Sequence, residues 1–275
     1  MTSRIHHLDC GTMVPLLAGR VLPERLVAHC LLLERPEGLV LVDTGFGTAD
    51  IADPRRLGPG FARMVGLQRD TSATALARVR ALGHDPRDVT DVVLTHLDLD
   101  HAGGIADFPQ ARVHVLADEL AAARARRTPA ERNRYRTVQW AHGPRWVEHR
   151  SDDGTDWFGL TAVPVLDGTD DLVVVPLAGH TRGHAGVGVR RPDGGWLLHA
   201  GDAYFSAAEK VDPAAAPRSI RVLQTLLQVS GTARRTNQER LRTLYAEHGP
   251  AGSGDLTMFC AHDAAEFAAL ARIPG

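Results

Sequence analysis

Cysteine is scarce in this chain of 275 residues. The three cysteines, Cys10, Cys30 and Cys260, are an odd number and lie far apart in the sequence, which excludes a disulfide framework and a zinc ribbon. The sequence also lacks an apolar run long enough for a bilayer-spanning helix, and it shows no apolar signal segment near its N-terminus. We therefore expect a cytoplasmic protein without a membrane partner.

A surplus of basic residues is absent as well. Lys+Arg number 31 and Asp+Glu number 33, which gives a formal net charge of -2 at pH 7. Proteins that bind nucleic acids usually carry a strong basic excess, so we expect no nucleic-acid partner. The hydrophobic content of 44% and the charged content of 23% are ordinary for a globular protein, and they exclude a mostly disordered chain.

Short apolar segments alternate with helical patterns along the chain. Strands are predicted at 29–33, 39–42, 92–94, 112–115, 173–177, 187–190, 196–198 and 256–260. Helices are predicted at 71–82, 220–229, 239–247 and 264–272. The composition of residues 118–150 predicts a helical and aromatic insertion that caps a site. We expect its arginines to lie on a solvated helix face, and a clamp for an anionic substrate is the alternative. The order of elements favours one layered α/β or α+β domain over 1–275.

The residues that indicate chemistry follow the strand predicted at 92–94. Residues 96–101 read His-Leu-Asp-Leu-Asp-His and precede a glycine pair. In an extended segment, residues two apart point the same way, so His96, Asp98 and Asp100 would project to one side, with His101 at the bend. Imidazole and carboxylate groups that converge in this way are typical ligands of first-row metal ions. A solvated surface loop is the alternative interpretation.

Three later strand ends carry residues of the same kind. His180 follows the strand at 173–177, Asp202 follows the strand at 196–198, and His262 follows the strand at 256–260. Each one alone is better explained by a loop histidine or a capping aspartate. Taken together with residues 96–101, they predict a metal site at the ends of several strands.

The chain resembles the metallo-β-lactamase fold superfamily, and within it most closely the N-acyl-homoserine-lactonase-like group. The matching motifs are Asp43-Thr44-Gly45 after an early strand, residues 96–101, His180 in Gly-His-Thr, Asp202 in Gly-Asp and His262 in His-Asp. This resemblance spans nearly the whole chain. It implies a four-layer αββα sandwich with a dinuclear metal site at one edge of the two sheets.

The resemblance also implies a set of metal ligands. His96, Asp98 and His180 would hold the first ion, Asp100, His101 and His262 the second, and Asp202 would bridge both. The usual motif of the family is His-x-His-x-Asp-His, so Asp98 stands where the family has a histidine. The family implies two zinc ions. Because a carboxylate suits harder ions, Asp98 also makes manganese or iron an alternative.

The implied activity is that of a metal-dependent hydrolase, in which a metal-bound hydroxide attacks a small ester, a lactone or a related acyl substrate. Asp100 is the expected catalytic carboxylate, because it could orient the nucleophile or pass a proton to the leaving group. Asp43, His184 and His199 are expected to support the ligands, with turn geometry or a backbone-bonded histidine as the alternatives. Tyr204 is a fourth candidate, but lactonases of this group place a phenol one residue further along, so core packing is its alternative.

Two other functions remain open at this point. Flavodiiron proteins share the fold and carry a glutamate at the position of Asp98, which makes a diiron redox enzyme an alternative. Phosphodiester cleavage is a further alternative, against which the mild acidity of the chain argues. We expect a small-molecule substrate as the partner, and we leave a homodimer open.

Overall fold

Two six-stranded sheets form the centre of the molecule over residues 2, 4–58 and 60–272, which the computed structural model describes. In the first sheet, each strand lies beside the next in chain order, and the first three strands are antiparallel while the later ones are parallel. The strands are β1 (Arg4–Asp9), β2 (His29–Arg35), β3 (Gly38–Val42), β4 (Val89–Val93), β5 (Arg112–Leu116) and β6 (Arg145–His149).

The second sheet has the strand order β12-β11-β10-β9-β8-β7. Its neighbouring strands are antiparallel, except for β11 and β12, which are parallel. The strands are β7 (Thr155–Trp157), β8 (Leu160–Pro164), β9 (Leu172–Pro176), β10 (Ala185–Arg190), β11 (Trp196–His199) and β12 (Leu256–Phe259).

The helices lie between strands or follow the last one. The α-helices are α1 (Thr48–Ala52), α2 (Phe61–Val65), α3 (Ala75–Ala81), α4 (Ala117–Ala125), α5 (Pro129–Arg134), α6 (Arg218–Leu227), α7 (Gly231–His248) and α8 (Ala264–Leu270). Helix α5 begins with a capping box, in which the side chains of Thr128 and Glu131 each accept the other's backbone N–H. Within the described part of the chain, none of the helices is both long and apolar enough to cross a bilayer.

Apolar side chains of the two sheets face each other. Leu31, Val40 and Val93 of the first sheet pack in one cluster with Val174 and Val187 of the second sheet. The central strands read as continuous apolar runs because both of their faces are covered. The interface between the sheets is therefore the middle of the core.

The outer face of each sheet is covered by helices. Val79 of α3 and Leu120 of α4 pack on the first sheet, and Leu241 and Leu244 of α7 pack on the second. The resulting order of layers is helix, sheet, sheet, helix, which confirms the predicted αββα sandwich.

The segment predicted as a cap, residues 118–150, differs in part from the expectation. It contains α4 and α5, but it ends in β6, which pairs in parallel with β5 at the edge of the first sheet. Tyr135 is buried in the core of that sheet, and Trp140 and Trp146 pack against the same cluster. The segment is thus also the crossover connection between two parallel strands, which needs a helix on the face of the sheet.

Candidate metal centre

The residues that carry ligand-type side chains lie where strands of both sheets end. Residues 96–101 follow β4, His180 lies in the loop between β9 and β10, Asp202 follows β11, and His262 follows β12. A hydrogen bond of 2.8 Å from the Ala185 N–H to the Thr95 carbonyl joins the loops of the two sheets at this edge. The seven predicted ligands therefore come together from distant parts of the chain.

A first group consists of His96, Asp98 and His180, whose ligand atoms all lie within 4.8 Å of one another. The Nε2 atom of His180 lies 3.0 Å from Oδ2 of Asp98, and the Nε2 atom of His96 lies 3.5 Å from the same oxygen. Both histidines are buried, and Asp98 is half-buried. Two imidazoles and one carboxylate thus face a common point.

A second group consists of Asp100, His101 and His262. The Nε2 atom of His262 lies 3.6 Å from Oδ2 of Asp100, and the Nε2 atom of His101 lies 4.0 Å from Oδ1 of Asp100. This group repeats the composition of the first, with two imidazoles and one carboxylate.

Asp202 lies between the two groups. Its Oδ1 atom is 3.4 Å from Nε2 of His101 and 3.2 Å from Nε2 of His262. Its Oδ2 atom is 3.3 Å from Nε2 of His180 and 3.9 Å from Nε2 of His96. One oxygen of this carboxylate thus faces each group, which is the arrangement a bridging ligand needs.

Several polar atoms of the cluster have no hydrogen-bond partner among the residues that the structure describes. They are Nε2 of His96, Oδ1 of Asp98, Nε2 of His101 and Oδ1 of Asp202, and all four are buried. Buried polar atoms are rarely left unsatisfied in folded proteins. Imidazole nitrogens and carboxylate oxygens are the ligands that divalent first-row metals take, so this donor set fits two such ions.

The buried charges of the cluster depend on one another. Burial opposes the ionised form of Asp202, but His262, His101 and His180 outweigh it and hold the pKa of Asp202 well below its usual range. Burial also opposes protonation of His262, yet Asp202 and Asp100 raise the pKa of His262 to about 9. Since histidine binds a metal only when it is deprotonated, metal uptake must release protons.

Asp43 forms a hydrogen bond with a histidine of the second group. Its Oδ2 atom accepts a hydrogen bond of 2.8 Å from Nδ1 of His101, and its Oδ1 atom accepts one of 2.8 Å from the Thr95 N–H. Asp43 adopts a positive φ of 55° at the end of β3, a conformation that aspartate tolerates better than most residues. The hydrogen bond leaves Nε2 of His101 free to face the cluster.

His184 and His199 hold the turn that carries Asp202. The Nε2 atom of His184 accepts a hydrogen bond of 2.8 Å from the Asp202 N–H, and its Nδ1 donates to the Leu177 carbonyl. The Nδ1 atom of His199 accepts a hydrogen bond of 3.0 Å from the Gly201 N–H. Burial lowers the pKa of both histidines, in keeping with neutral rings that accept hydrogen bonds.

Tyr204 lies apart from the cluster. Its hydroxyl group donates to Glu266 at 3.3 Å, and its ring belongs to the core beneath α7. The neighbouring Phe205 instead reaches the candidate centre, where its ring centroid lies 5.9 Å from that of His180 and 5.4 Å from that of His262. The one-residue offset therefore places an apolar ring, not a phenol, beside the ligands.

Glu119 is a supporting residue that sequence reasoning missed. It is fully buried on α4, and its Oε1 atom accepts the Leu97 N–H at 3.0 Å while its Oε2 atom accepts the Gly183 N–H at 3.0 Å. It thus connects the loop of residues 96–101 with the loop that carries His180. A glutamate in a helix rich in alanine and arginine gives no local signal of such a contact.

Arg134 corrects the expectation that the arginines of this segment lie on a solvated helix face. Its Nε atom lies 3.5 Å from Oδ1 of Asp98, and only 13% of its side chain is exposed. Its Nη1 donates to the His180 carbonyl at 2.9 Å, and its Nη2 donates to the Leu227 carbonyl. Burial opposes ionisation of Asp98, but Arg134 and His96 hold the pKa of Asp98 well below its usual range.

A cavity of about 440 Å³ opens beside Asp98 and Asp100. Helix α2, the end of α6 and the segment around α5 form its walls. Its apolar lining comes from Phe61, Met64, Leu99, Leu226, Leu227 and Val229. The candidate centre is therefore accessible from a largely apolar pocket.

Comparisons with known proteins agree with this geometry. The profile of the metallo-beta-lactamase superfamily matches residues 23–244. A probable metallo-hydrolase of Mycobacterium tuberculosis is 43% identical over 266 residues, which cover 94% of this chain and 80% of the relative. The N-acyl homoserine lactonase AttM of Azorhizobium caulinodans is 31% identical over 221 residues, which cover 73% of this chain and 77% of the relative.

A solved structure shares the fold at lower sequence identity. It is a mutant of AiiA from B. thuringiensis with N-decanoyl-L-homoserine bound at the active site, and it is 18% identical with a TM-score of 0.73. The alignment covers 98% of this chain and 96% of that chain. With the profile match and the relatives above, these findings show that the chain belongs to the metallo-beta-lactamase superfamily.

Proposed function

We propose that this enzyme is a metal-dependent hydrolase that opens a lactone or a small ester with an apolar acyl chain. The observation that carries the proposal is the position of Asp202, whose two oxygens face two separate groups of imidazoles and carboxylates. A bridging carboxylate between two such groups is the arrangement required for a pair of ions that act on one substrate.

The proposed ligands are the seven residues expected from the sequence. His96, Asp98 and His180 would hold one ion, Asp100, His101 and His262 the other, and Asp202 both. When bound, such ions lower the pKa of a water molecule and polarise a carbonyl oxygen. We propose zinc as the metal, with manganese or iron as the alternatives that the carboxylate of Asp98 favours.

Asp100 is the proposed catalytic residue. It is half-buried and borders the 440 Å³ cavity, so its carboxylate can take a proton from a water in the pocket and later give that proton to the leaving alkoxide. Phe205, whose ring lies beside His180 and His262, carries no proton donor. The chain therefore relies on Asp100 or on solvent for the last proton transfer.

The substrate class follows from the pocket and from the relatives. The apolar lining of Phe61, Met64 and Leu226 suits an acyl chain. The relative from A. caulinodans is named an N-acyl homoserine lactonase, which supports a lactone with an N-acyl chain as the first substrate to test.

The test combines elemental analysis of the purified protein with a screen of N-acyl lactones, aryl esters, phosphodiesters and β-lactams. We expect two divalent ions per chain and turnover of the lactones. Asp202→Ala should lose metal and lower activity by more than about a hundredfold, beyond the loss typical of a residue that only supports a ligand. Asp152→Asn is the matched control, because its side chain is 85% exposed.

Two outcomes would contradict the proposal. Unchanged metal content in Asp202→Ala would remove this residue from the bridge. Iron in both positions, together with consumption of oxygen or nitric oxide and no turnover of any ester, would instead favour the redox alternative, for which the carboxylate of Asp98 in the first group is the supporting observation.

A further inference from the structure

A second cluster of metal-ligating side chains lies at the far end of the first sheet. It consists of His6 on β1, Glu34 on β2 and His84 in the turn after α3. Strand β2 begins at His29, next to the loop that carries His262, and Glu34 is five residues further along. Since a strand rises about 3.4 Å per residue, this cluster is about 17 Å from the sheet edge that carries the candidate metal centre.

The geometry brings three ligand atoms to one place. The Oε1 atom of Glu34 lies 2.6 Å from Nε2 of His6 and 3.4 Å from Nε2 of His84. All three ligand atoms lie within 4.8 Å of one another. The two imidazole nitrogens therefore converge on the same carboxylate oxygen.

The fold explains why these side chains meet. Arg4 of β1 pairs with Glu34 of β2, and His6 is two residues beyond Arg4, so His6 and Glu34 lie on the same face of the sheet. His84 is brought over this face because Gly83, two residues after the end of α3, reverses the chain with a φ of +89°, and the His84 N–H donates to the Val79 carbonyl. The three residues thus come from three elements.

We propose that His6, Glu34 and His84 form a divalent-cation site, separate from the candidate metal centre, that takes zinc or a similar ion of borderline hardness. Two imidazoles and one carboxylate are a ligand set that zinc accepts, with water completing its shell. The site is reachable from solvent, because the side chains of His6, Glu34 and His84 are 16%, 29% and 27% exposed.

The charge of the cluster suits a cation. The hydrogen bond from His6 is the main cause that lowers the pKa of Glu34, so this carboxylate is ionised at neutral pH. An ion would replace that hydrogen bond with bonds of about 2.0–2.2 Å to each ligand atom. The required movement is small for long side chains at the surface.

The consequence of such a site is structural. Strand β1 is an edge strand of the first sheet, and an ion held by His6, Glu34 and His84 would fasten it to β2 and to the end of α3. Because a ligand that binds only the folded state stabilises it, the ion should raise the thermal midpoint of unfolding.

The experiment counts bound zinc by equilibrium dialysis and elemental analysis in the full chain, with micromolar free zinc. The wild-type protein is expected to bind one zinc more than His84→Ala and Glu34→Gln, while His142→Ala, which removes an exposed histidine elsewhere, keeps the wild-type number. Zinc should raise the thermal midpoint of the wild-type protein and of His142→Ala more than that of His84→Ala. Hydrolytic activity should be the same in all four proteins.

Equal zinc counts in the wild-type protein, His84→Ala and Glu34→Gln would overturn the inference and leave an ion pair only. If His84→Ala does not fold, the zinc count of Glu34→Gln decides the question, together with the difference between the Cu²⁺ electron paramagnetic resonance spectra of the wild-type protein and Glu34→Gln, because the imidazole nitrogens around an extra ion split its signal. The result is independent of the proposed function, which depends on the ions at Asp202.

Discussion

Asp98 and Arg134 form an ion pair at the edge of the candidate metal centre. The carboxylate adds a negative charge that a histidine at position 98 would not bring, and the guanidinium 3.5 Å away adds a positive charge that offsets it. Both side chains are largely shielded from water, where a charge is stable only when it is paired. The departure from the usual family motif is therefore accompanied by a second residue that compensates its charge.

This pairing predicts the outcome of a substitution. Asp98→His alone leaves Arg134 buried without its partner, so we expect a loss of about 3 kcal/mol or more in the free energy of unfolding. The double variant Asp98→His with Arg134→Gln should recover most of that stability and bind zinc in preference to manganese. Denaturant unfolding and elemental analysis after exposure to both metals measure the two effects.

The control for this comparison is Arg124→Gln, because Arg124 is 57% exposed and faces Glu148 instead of Asp98. Adding Arg124→Gln to Asp98→His should restore none of the lost free energy of unfolding. Metal selectivity that does not change in either histidine variant would show that Asp98 is not a ligand.

Among single residues, the sequence motifs predicted the grouped candidate ligands and the supporting Asp43, His184 and His199, but not Glu119 or Arg134. His96, Asp98 and Asp100 stand in one short block, so their spacing could be read directly. Glu119 and Arg134 act through partners 22 to 93 positions away, and no local pattern reports contacts of that range. Tyr204 was named for its proximity to Asp202 in sequence, but Phe205 is the residue whose ring lies beside the ligands.

At the scale of elements, α4 connects the loop of residues 96–101 with the loop that carries His180. The carboxylate of Glu119 accepts one N–H from each loop, and no part of it is exposed. Each of these buried N–H groups would cost about 1–3 kcal/mol if it lost its acceptor. The helix therefore fixes the distance between His96 and His180.

We expect Glu119→Gln to loosen this connection. The amide of glutamine has only one oxygen, so its NH₂ group must face one of the two N–H donors. Metal affinity should fall by about 10–100-fold, as for other residues that orient ligands, and more in Glu119→Ala. The measurement is the metal retained after dialysis against increasing concentrations of a chelator.

Glu148→Gln is the matched control, because Glu148 is exposed on β6 and pairs with Arg124 at the surface. Retention curves that coincide for Glu119→Gln, Glu148→Gln and the wild-type protein would show that the helix does not position the ligands.

The strands that carry ligands were predictable because they are continuous apolar runs followed by a polar residue. Strands β6, β7 and β8 were not, since they lie at or near a sheet edge, where exposed residues such as Glu148 and Thr161 interrupt the apolar pattern. Of the three strands, only β6 with its Trp146 lies in the segment 118–150 that was predicted to form a cap. Trp157, which packs against Trp196 at 5.3 Å, belongs to the core of the second sheet.

At the scale of the whole molecule, neutral histidines are part of the interior. Burial is the main cause that lowers the pKa of His7 to about 4 and the pKa of His29 well below its usual range. The two rings contact each other through a hydrogen bond of 2.8 Å between Nδ1 of His7 and Nε2 of His29. Protonation therefore favours the unfolded chain, in which a histidine titrates near 6.5.

The sign of the pH dependence follows from these directions. The stability that depends on neutral histidines is complete above pH 6.5 and is lost as the pH falls from about 6.5 towards 4, because the unfolded state binds more protons in that range. In His7→Gln, the fall in unfolding free energy between pH 7 and pH 5 should be smaller than in the wild-type protein. Urea unfolding at the two pH values measures it.

His248→Gln serves as the comparison, since His248 lies near the surface beside Asp255. If the pH dependence of His7→Gln equals that of the wild-type protein and of His248→Gln, the interior histidines do not set the acid stability.

The cytoplasmic location and the homodimer stay predictions from the sequence.

The contact between Asp98 and Arg134 also constrains how such a chain can have evolved. A histidine that arises at position 98 leaves the guanidinium of Arg134 without its ion-pair partner. A neutral residue that arises at position 134 leaves the carboxylate of Asp98 without its partner. Each single change is expected to give a less stable intermediate, so we expect the two positions to change together or not at all. Among homologous chains, an aspartate at position 98 should accordingly occur together with an arginine at position 134.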